Sequence, residues 1–198
     1  MGLKDQLPLL LVASPLLNDP EFRCSVILLI ESDESGAFGF VINNKSHMYL
    51  RDVVDPGELK IPDGIPVWYA GPVDSSSAFI LHNQESASPE EKIAPGISLS
   101  TSQDALIKMV HRVGGYDHGV LYPFRMMIGY AGWGPGQLED ECERGFWIPT
   151  SLDKDILFNM EYEKIWRYAL DLVNSEDCDN ASWVQEHHPV KSQNRWLH

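Results

Sequence analysis

The chain has 198 residues, 43% of them hydrophobic and 22% charged, which is enough for one core or at most two small ones. Lys and Arg number 15 against 29 Asp and Glu, a formal charge of −14, and no run of basic residues offsets it. Affinity for nucleic acid, and for anionic membrane surfaces, comes largely from cationic side chains, so direct contact with either is disfavoured.

The apolar run 7–13 is broken by Pro8 and has no basic region before it, which argues against a signal peptide. Nowhere are there ~18 uninterrupted apolar residues, so no membrane span is expected. Cys24, Cys142 and Cys178 are odd in number and far apart, which fits a reducing cytoplasm rather than a disulfide framework.

In chain order, residues 9–13 read as a strand. Residues 22–30 (FRCSVILLI) alternate with Phe22, Cys24, Val26, Leu28 and Ile30 on one face. The other face turns apolar after Ser25, so this strand is expected to be buried on both sides in its second half, with Cys24 an inert buried thiol. The polar turn 31–36 leads into a strand over 37–42, and so short a link favours a hairpin over a crossover. A short helix is expected at 49–54, with further strands at 66–71, 78–82, 97–100 and 123–130. Thr101 with Asp104 forms an approximate capping box for a helix in which Leu106, Met109, Val110 and Val113 share a face, stopped by Gly114-Gly115. Short helical residues at 151–158 precede an amphipathic helix over 160–173. The order of elements predicts an α+β domain over residues 1–175. Residues 176–198 form a polar tail that stays mobile unless a neighbouring copy of the chain holds it, which would make the protein a homo-oligomer.

The candidate chemistry is concentrated in 129–147, GYAGWGPGQLEDECERGFW. Its glycines lack the Lys-Ser/Thr of a P-loop and the spacing of a dinucleotide fingerprint. Glu139, Asp140, Glu141 and Glu143 would repel a phosphate from the helix that follows. One reading is a tight corner, with Pro135 at the first helical position and Gly145 ending the helix. The other is a pocket for a neutral or cationic ligand, walled by Trp133, with Gln137 and Glu141 on one helical face. No metal-ligand spacing occurs among the histidines, and no nucleophile elbow is present. The cluster Asp74, Ser75, Ser76, Ser77 and His82 reads as a turn before a strand. No cofactor is called for.

The segments 22–30, GAFGFVIN (36–43), GPV (71–73) and GYAGWGPGQLE (129–139) resemble the successive signatures of the AlgH/YqgE-like proteins of bacteria. Residues 156–158 and Trp166 fit the same pattern, and the resemblance spans 7–173. It implies a single α+β domain whose bifurcated, largely antiparallel sheet folds into a pseudo-barrel with helices around it. It also implies a transcriptional-regulator label with no settled enzymatic activity. Ser32 stands where relatives often carry a His near the acidic turn, which weakens a metal or proton-transfer role there. Asn44-Lys45 replaces a frequent Arg-Pro, and Ala70 replaces a Gly. Asn43, Gly71, His82, Trp133, Gln137 and Glu141 match the family motifs and are expected to line one cleft, although the fold has equal use for them as turn and packing residues.

Direct DNA reading requires a helix with a basic footprint, and the helix near 101–113 offers only Lys108 and Arg112. The sequence therefore points to a cytoplasmic binding or regulatory protein with a small-molecule or protein partner. The alternative is an enzyme of unrecognised type acting near Trp133, Gln137 and Glu141.

Overall fold

Successive residues of β1 (Leu9–Ala13) and β2 (Val26–Asp33) point to opposite faces of a sheet, and both faces are apolar throughout β1 and in β2 as far as Ile30. Leu10, Val12, Val26 and Leu28 enter one core with Phe40, Ile156, Ile165 and Ala169. Leu9, Leu11, Ala13, Ile27 and Leu29 enter a second with Trp133, Leu138, Cys142 and Trp147. The residues are those of a computed structural model, which describes 3–55, 59–84, 92–113 and 122–179, with side chains as far as 173.

Along the chain follow β3 (Gly36–Val41), β4 (Lys45–Tyr49), α1 (Leu50–Val53), β5 (Pro66–Tyr69), β6 (Val73–His82), β7 (Lys92–Ala94) and β8 (Ile97–Ser100). Then come α2 (Gln103–Val113), β9 (Phe124–Trp133), α3 (Gln137–Glu143), β10 (Trp147–Thr150), α4 (Lys154–Phe158) and α5 (Tyr162–Asp179). The sheet order is β10-β1-β2-β3-β9-β6-β8-β7, with β4 and β5 off this path. The protein is a single α+β domain in which the sheet curls into a half-barrel with helices around it. Leu106, Met109, Val110 and Val113 of α2 close a third core over Val67, Ile80, Phe124 and Met126.

The sheet forks at β9. One edge of β9 pairs antiparallel with β6 from Phe124 to Tyr130. The other edge changes partner partway. Residues Met126 to Ile128 pair parallel with β5, and Ala131 to Trp133 pair antiparallel with β3. Ala70 sits in the crotch, its N–H donating to the Ile128 carbonyl (2.9 Å) and its carbonyl accepting from Val41 N–H (2.9 Å). Gly71 then carries the chain across the face of β9 so closely that a Cβ would lie 2.2 Å from the Tyr130 carbonyl oxygen.

Several expectations are corrected. Cys24 is exposed and lies in a turn at φ 58°, so β2 begins only at Val26 and the thiol is not buried. The cause is local: Asp19 Oδ1 accepts from Glu21 N–H, and Phe22 and Arg23 N–H both donate to the Asp19 carbonyl, which curls 19–23 away from extension. Pro135 precedes α3 by two residues, because Gly136 takes the left-handed conformation at the N-cap. α2 begins at Gln103 and the Ser102 carbonyl accepts from Leu106 N–H, so Ser102 rather than Thr101 stands just before the helix. β9 continues three residues past 130, and α5 runs to Asp179, beyond the expected end at 173 and into the segment read as tail. No Gly or Pro interrupts 159–179. The stop at Gly114-Gly115 and residues 180–198 lie outside the described residues. Among the described residues no helix is long and apolar enough to cross a membrane.

Candidate functional site

The corner at the end of β9 is a closed polar network. Trp133 ends the strand, and Gly134 N–H donates to Gln137 Oε1 (3.0 Å). One helical turn apart, Gln137 Nε2 donates to Glu141 Oε1 (2.8 Å). The other oxygen, Glu141 Oε2, accepts from both indoles, Trp133 Nε1 (3.0 Å) and Trp147 Nε1 (2.8 Å). The two rings meet edge to face with centroids 5.9 Å apart, and Phe22 meets Trp147 in the same way at 5.8 Å. Glu141 thus joins β9, α3 and β10 by satisfying two indole donors that would otherwise be buried without an acceptor. Gly145 ends α3 at φ 74°, as the tight-corner reading requires.

Of the sequence-derived residues, the fold brings Trp133, Gln137 and Glu141 together and sets Gly71 against β9 nearby. Asn43 is elsewhere. Ala37 pairs with Trp133, so Asn43 lies about 20 Å farther along the strand at ~3.3 Å per residue. There its side chain accepts from Val26 N–H (2.8 Å) and donates to the Cys24 carbonyl (2.9 Å), pinning the start of β2. His82 pairs with Phe124 at the opposite end of β9 from Trp133, about 30 Å along the strand. It is 4% exposed, with Nδ1 accepting from Gln84 N–H (3.3 Å). Ser76 and Ser77 both donate to Asp74, which holds that carboxyl below its usual range, and β6 carries His82 away from this turn. One cleft does not contain all six residues.

Beside the corner, Glu31, Asp33, Ser35 and Gly36 of the β2–β3 hairpin form with Trp133 a shallow, acidic depression of about 180 Å³. Among the described residues no group of three or more His, Cys, Asp or Glu side chains is placed to hold a metal ion. Burial, with Glu139 and Glu141 adding to it, pushes the Cys142 thiol up to about 12. Iodoacetamide at pH 8 is therefore expected to modify exposed Cys24 and to react with Cys142 at least about tenfold more slowly until the protein is unfolded. Mass mapping of the two peptides against time measures this, and equal rates would mean that the corner opens in the native protein.

A second pocket was not legible in the sequence. Its volume is about 190 Å³, and it lies where α4 and the start of α5 meet β5 and β9. Trp68, Phe158 and Tyr162 supply apolar walls, and Arg125 lines it from within the sheet. Arg125 shares a face of β9 with Met127, which points into the first core, so its guanidinium is carried inward and is 5% exposed. It donates from Nε to the Leu157 carbonyl (2.7 Å), from Nη1 to the Ile42 carbonyl and from Nη2 to the Ile156 carbonyl (3.5 Å). It also stacks 4.1 Å from the centroid of Trp68. Burial pulls the guanidinium down to about 9, so it keeps its charge at neutral pH. The available signal was a lone basic residue inside the apolar run 124–128.

The family model for the AlgH-like proteins (DUF179) matches residues 10–176. The chain belongs to the AlgH-like family. A UPF0301 protein of Thioalkalivibrio sulfidiphilus is 37% identical over 163 residues, covering 80% of this chain and 84% of the relative. One from Myxococcus xanthus is 34% identical over 171 residues, covering 85% and 91%. The solution structure of the AlgH protein of Pseudomonas aeruginosa superposes with a TM-score of 0.66 at 31% identity, covering 83% of this chain and 87% of that one. A Corynebacterium diphtheriae protein, at 22% identity and a TM-score of 0.57 over 75% and 76% of the two chains, shares the fold. The AlgH-like match runs from β1 into α5 and so takes in both the fork and the corner.

Proposed function

We propose that this AlgH-like protein is a binding or regulatory protein that takes a small molecule in the pocket beside Arg125, and that it acts through that ligand or a partner protein rather than by contacting DNA. The observation that supports this is the pocket itself: aromatic walls around one buried, charged hydrogen-bonding group are the usual make-up of a small-molecule site. At about 190 Å³ it is below the ~300–1,000 Å³ of drug-sized sites, which favours a small metabolite over a nucleotide. The Trp133 corner has less support as an active site, because Gln137 and Glu141 are engaged with each other and with two indoles. Direct DNA contact has little support either. The net charge is −14, Arg51 is paired with Asp63, and α2 turns its apolar face to the sheet.

Native mass spectrometry of protein purified gently from its own host tests the reading. The expected result is an added small mass that disappears on denaturation and is missing from a Met160→Trp variant, in which the larger side chain fills the pocket from its rim. A bare polypeptide, or an adduct unaffected by Met160→Trp, would overturn it.

A further inference from the structure

Among the described residues, no carboxylate forms an ion pair with Arg125. All three of its hydrogen-bond acceptors there are neutral backbone carbonyls. A guanidinium carries five N–H groups, and among the described residues three bonds are made. The one from Nη2 is stretched to 3.5 Å, where a hydrogen bond is weak. Removing a cation from water costs several kcal/mol unless an anion or a full set of acceptors replaces the solvent. The carbonyls of Ile156 and Leu157, in the last turn of α4, supply only part of that compensation.

The surroundings narrow what supplies the rest. Lys45 brings a second cation to the pocket, with Nζ 5.8 Å from the Tyr162 ring centroid. The rim carboxylates are already engaged: Glu161 pairs with Lys164 (2.6 Å), and Glu163 is held low by the Tyr162 hydroxyl and by Lys45 and Lys164. They neutralise the mouth, so a polyanion meets no net attraction there, whereas one negative charge reaching Arg125 gains a partner. Trp68 and Tyr162, edge to face at 5.6 Å, offer apolar surface to the remainder of the ligand.

We infer that the pocket binds a small monocarboxylate with an apolar body, its carboxylate directed at Arg125 and Lys45 and its body held by Trp68 and Tyr162. This rests on the pocket reading above and adds the ligand's chemical class.

The test uses the full chain and three acid–amide pairs: benzoate and benzamide, phenylacetate and phenylacetamide, isovalerate and isovaleramide. Binding is followed by calorimetry and by the NMR signals of the Met160 methyl and the Trp68 indole. At least one acid is expected to bind saturably and shift both signals, with its amide about tenfold weaker or worse. Lys45→Gln, at the pocket mouth, is expected to weaken the acid by about threefold to tenfold and the amide by clearly less. Inorganic phosphate is expected not to compete. An acid and its amide binding equally would overturn the charge assignment while leaving the pocket standing, and so would competition by phosphate. If none of the three acids shifts Met160 or Trp68, the carboxylate assignment falls. Should the host-derived adduct also survive Met160→Trp, the pocket reading falls with it.

Discussion

Replacing Glu141 with leucine is expected to lower the unfolding free energy by about 3 kcal/mol, because two buried indole N–H groups lose their shared acceptor and each unsatisfied donor costs ~1–3 kcal/mol. Trp147 is 2% exposed and Trp133 8%, so water replaces the carboxylate poorly. Glu141 itself is only half-buried, which places the sum toward the lower part of that range. For a domain of this size the loss corresponds to a melting temperature about 6–12 °C lower. Glu141→Gln is expected to cost about 1 kcal/mol, since an amide oxygen still accepts from the indoles but without the charge. The amide nitrogen then faces Gln137 Nε2, donor against donor, and Gln137 can turn over only by releasing Gly134 N–H. Exposed Glu143, on the same short helix, serves as control, and Glu143→Gln should stay within ~0.5 kcal/mol. Urea unfolding followed by tryptophan fluorescence measures all three. A Glu141→Leu cost under ~0.5 kcal/mol would show that the network braces nothing, and would return the corner to consideration as a ligand site.

The corner was legible because its signals are local. Glycines at a strand end, an i, i+4 polar pair and two tryptophans within one short segment leave few arrangements, and the fold realises the tight one. What the sequence could not disclose is where strands carry their ends. Asp74 and His82 are near neighbours in sequence, yet an extended β6 separates them. Asn43 and Trp133 share the family's motifs, yet they stand at different ends of the β3–β9 ladder. The missed strands have the same kind of explanation. β4 is polar and mostly exposed, and β10 has four residues, including Pro149. Their extension comes from pairing with β5 and β1 rather than from alternation of their own. Cys24 was misplaced because the alternating pattern of 22–30 is interrupted by an Asp19 turn that hydropathy does not register. Arg125 was missed because an arginine amid Phe124, Met126 and Met127 reads as an exception on an exposed face. Only the parity of β9 with Met127 shows that it points inward.

The second large effect concerns the fork. Gly71→Ala is expected to abolish the native fold, giving insoluble protein or a chain without a cooperative unfolding transition. Two costs act together. At φ 148° a side chain is strained wherever it points. The added Cβ would also lie 2.2 Å from the carbonyl carbon and oxygen of Tyr130 and 2.4 Å from Ala131 N, all backbone atoms with no rotamer to escape into. To relieve the contact, β5 must separate from β9 where Ala70 bonds to Ile128 and Val41, which removes hydrogen bonds on both arms of the fork. A loss of more than ~4–5 kcal/mol follows, against a total stability of ~5–15 kcal/mol for a domain. Gly136→Ala isolates the conformational part. Its φ is 73° but nothing lies within 4 Å of the new Cβ, so ~1–2 kcal/mol is expected and the protein should remain folded. Soluble expression and thermal unfolding of the two variants side by side make the comparison. If Gly71→Ala proved no worse than Gly136→Ala, the close approach of the chain to β9 would not be what sets the fork, and the branching would have to come from side-chain packing around Ala70 and Met127 instead.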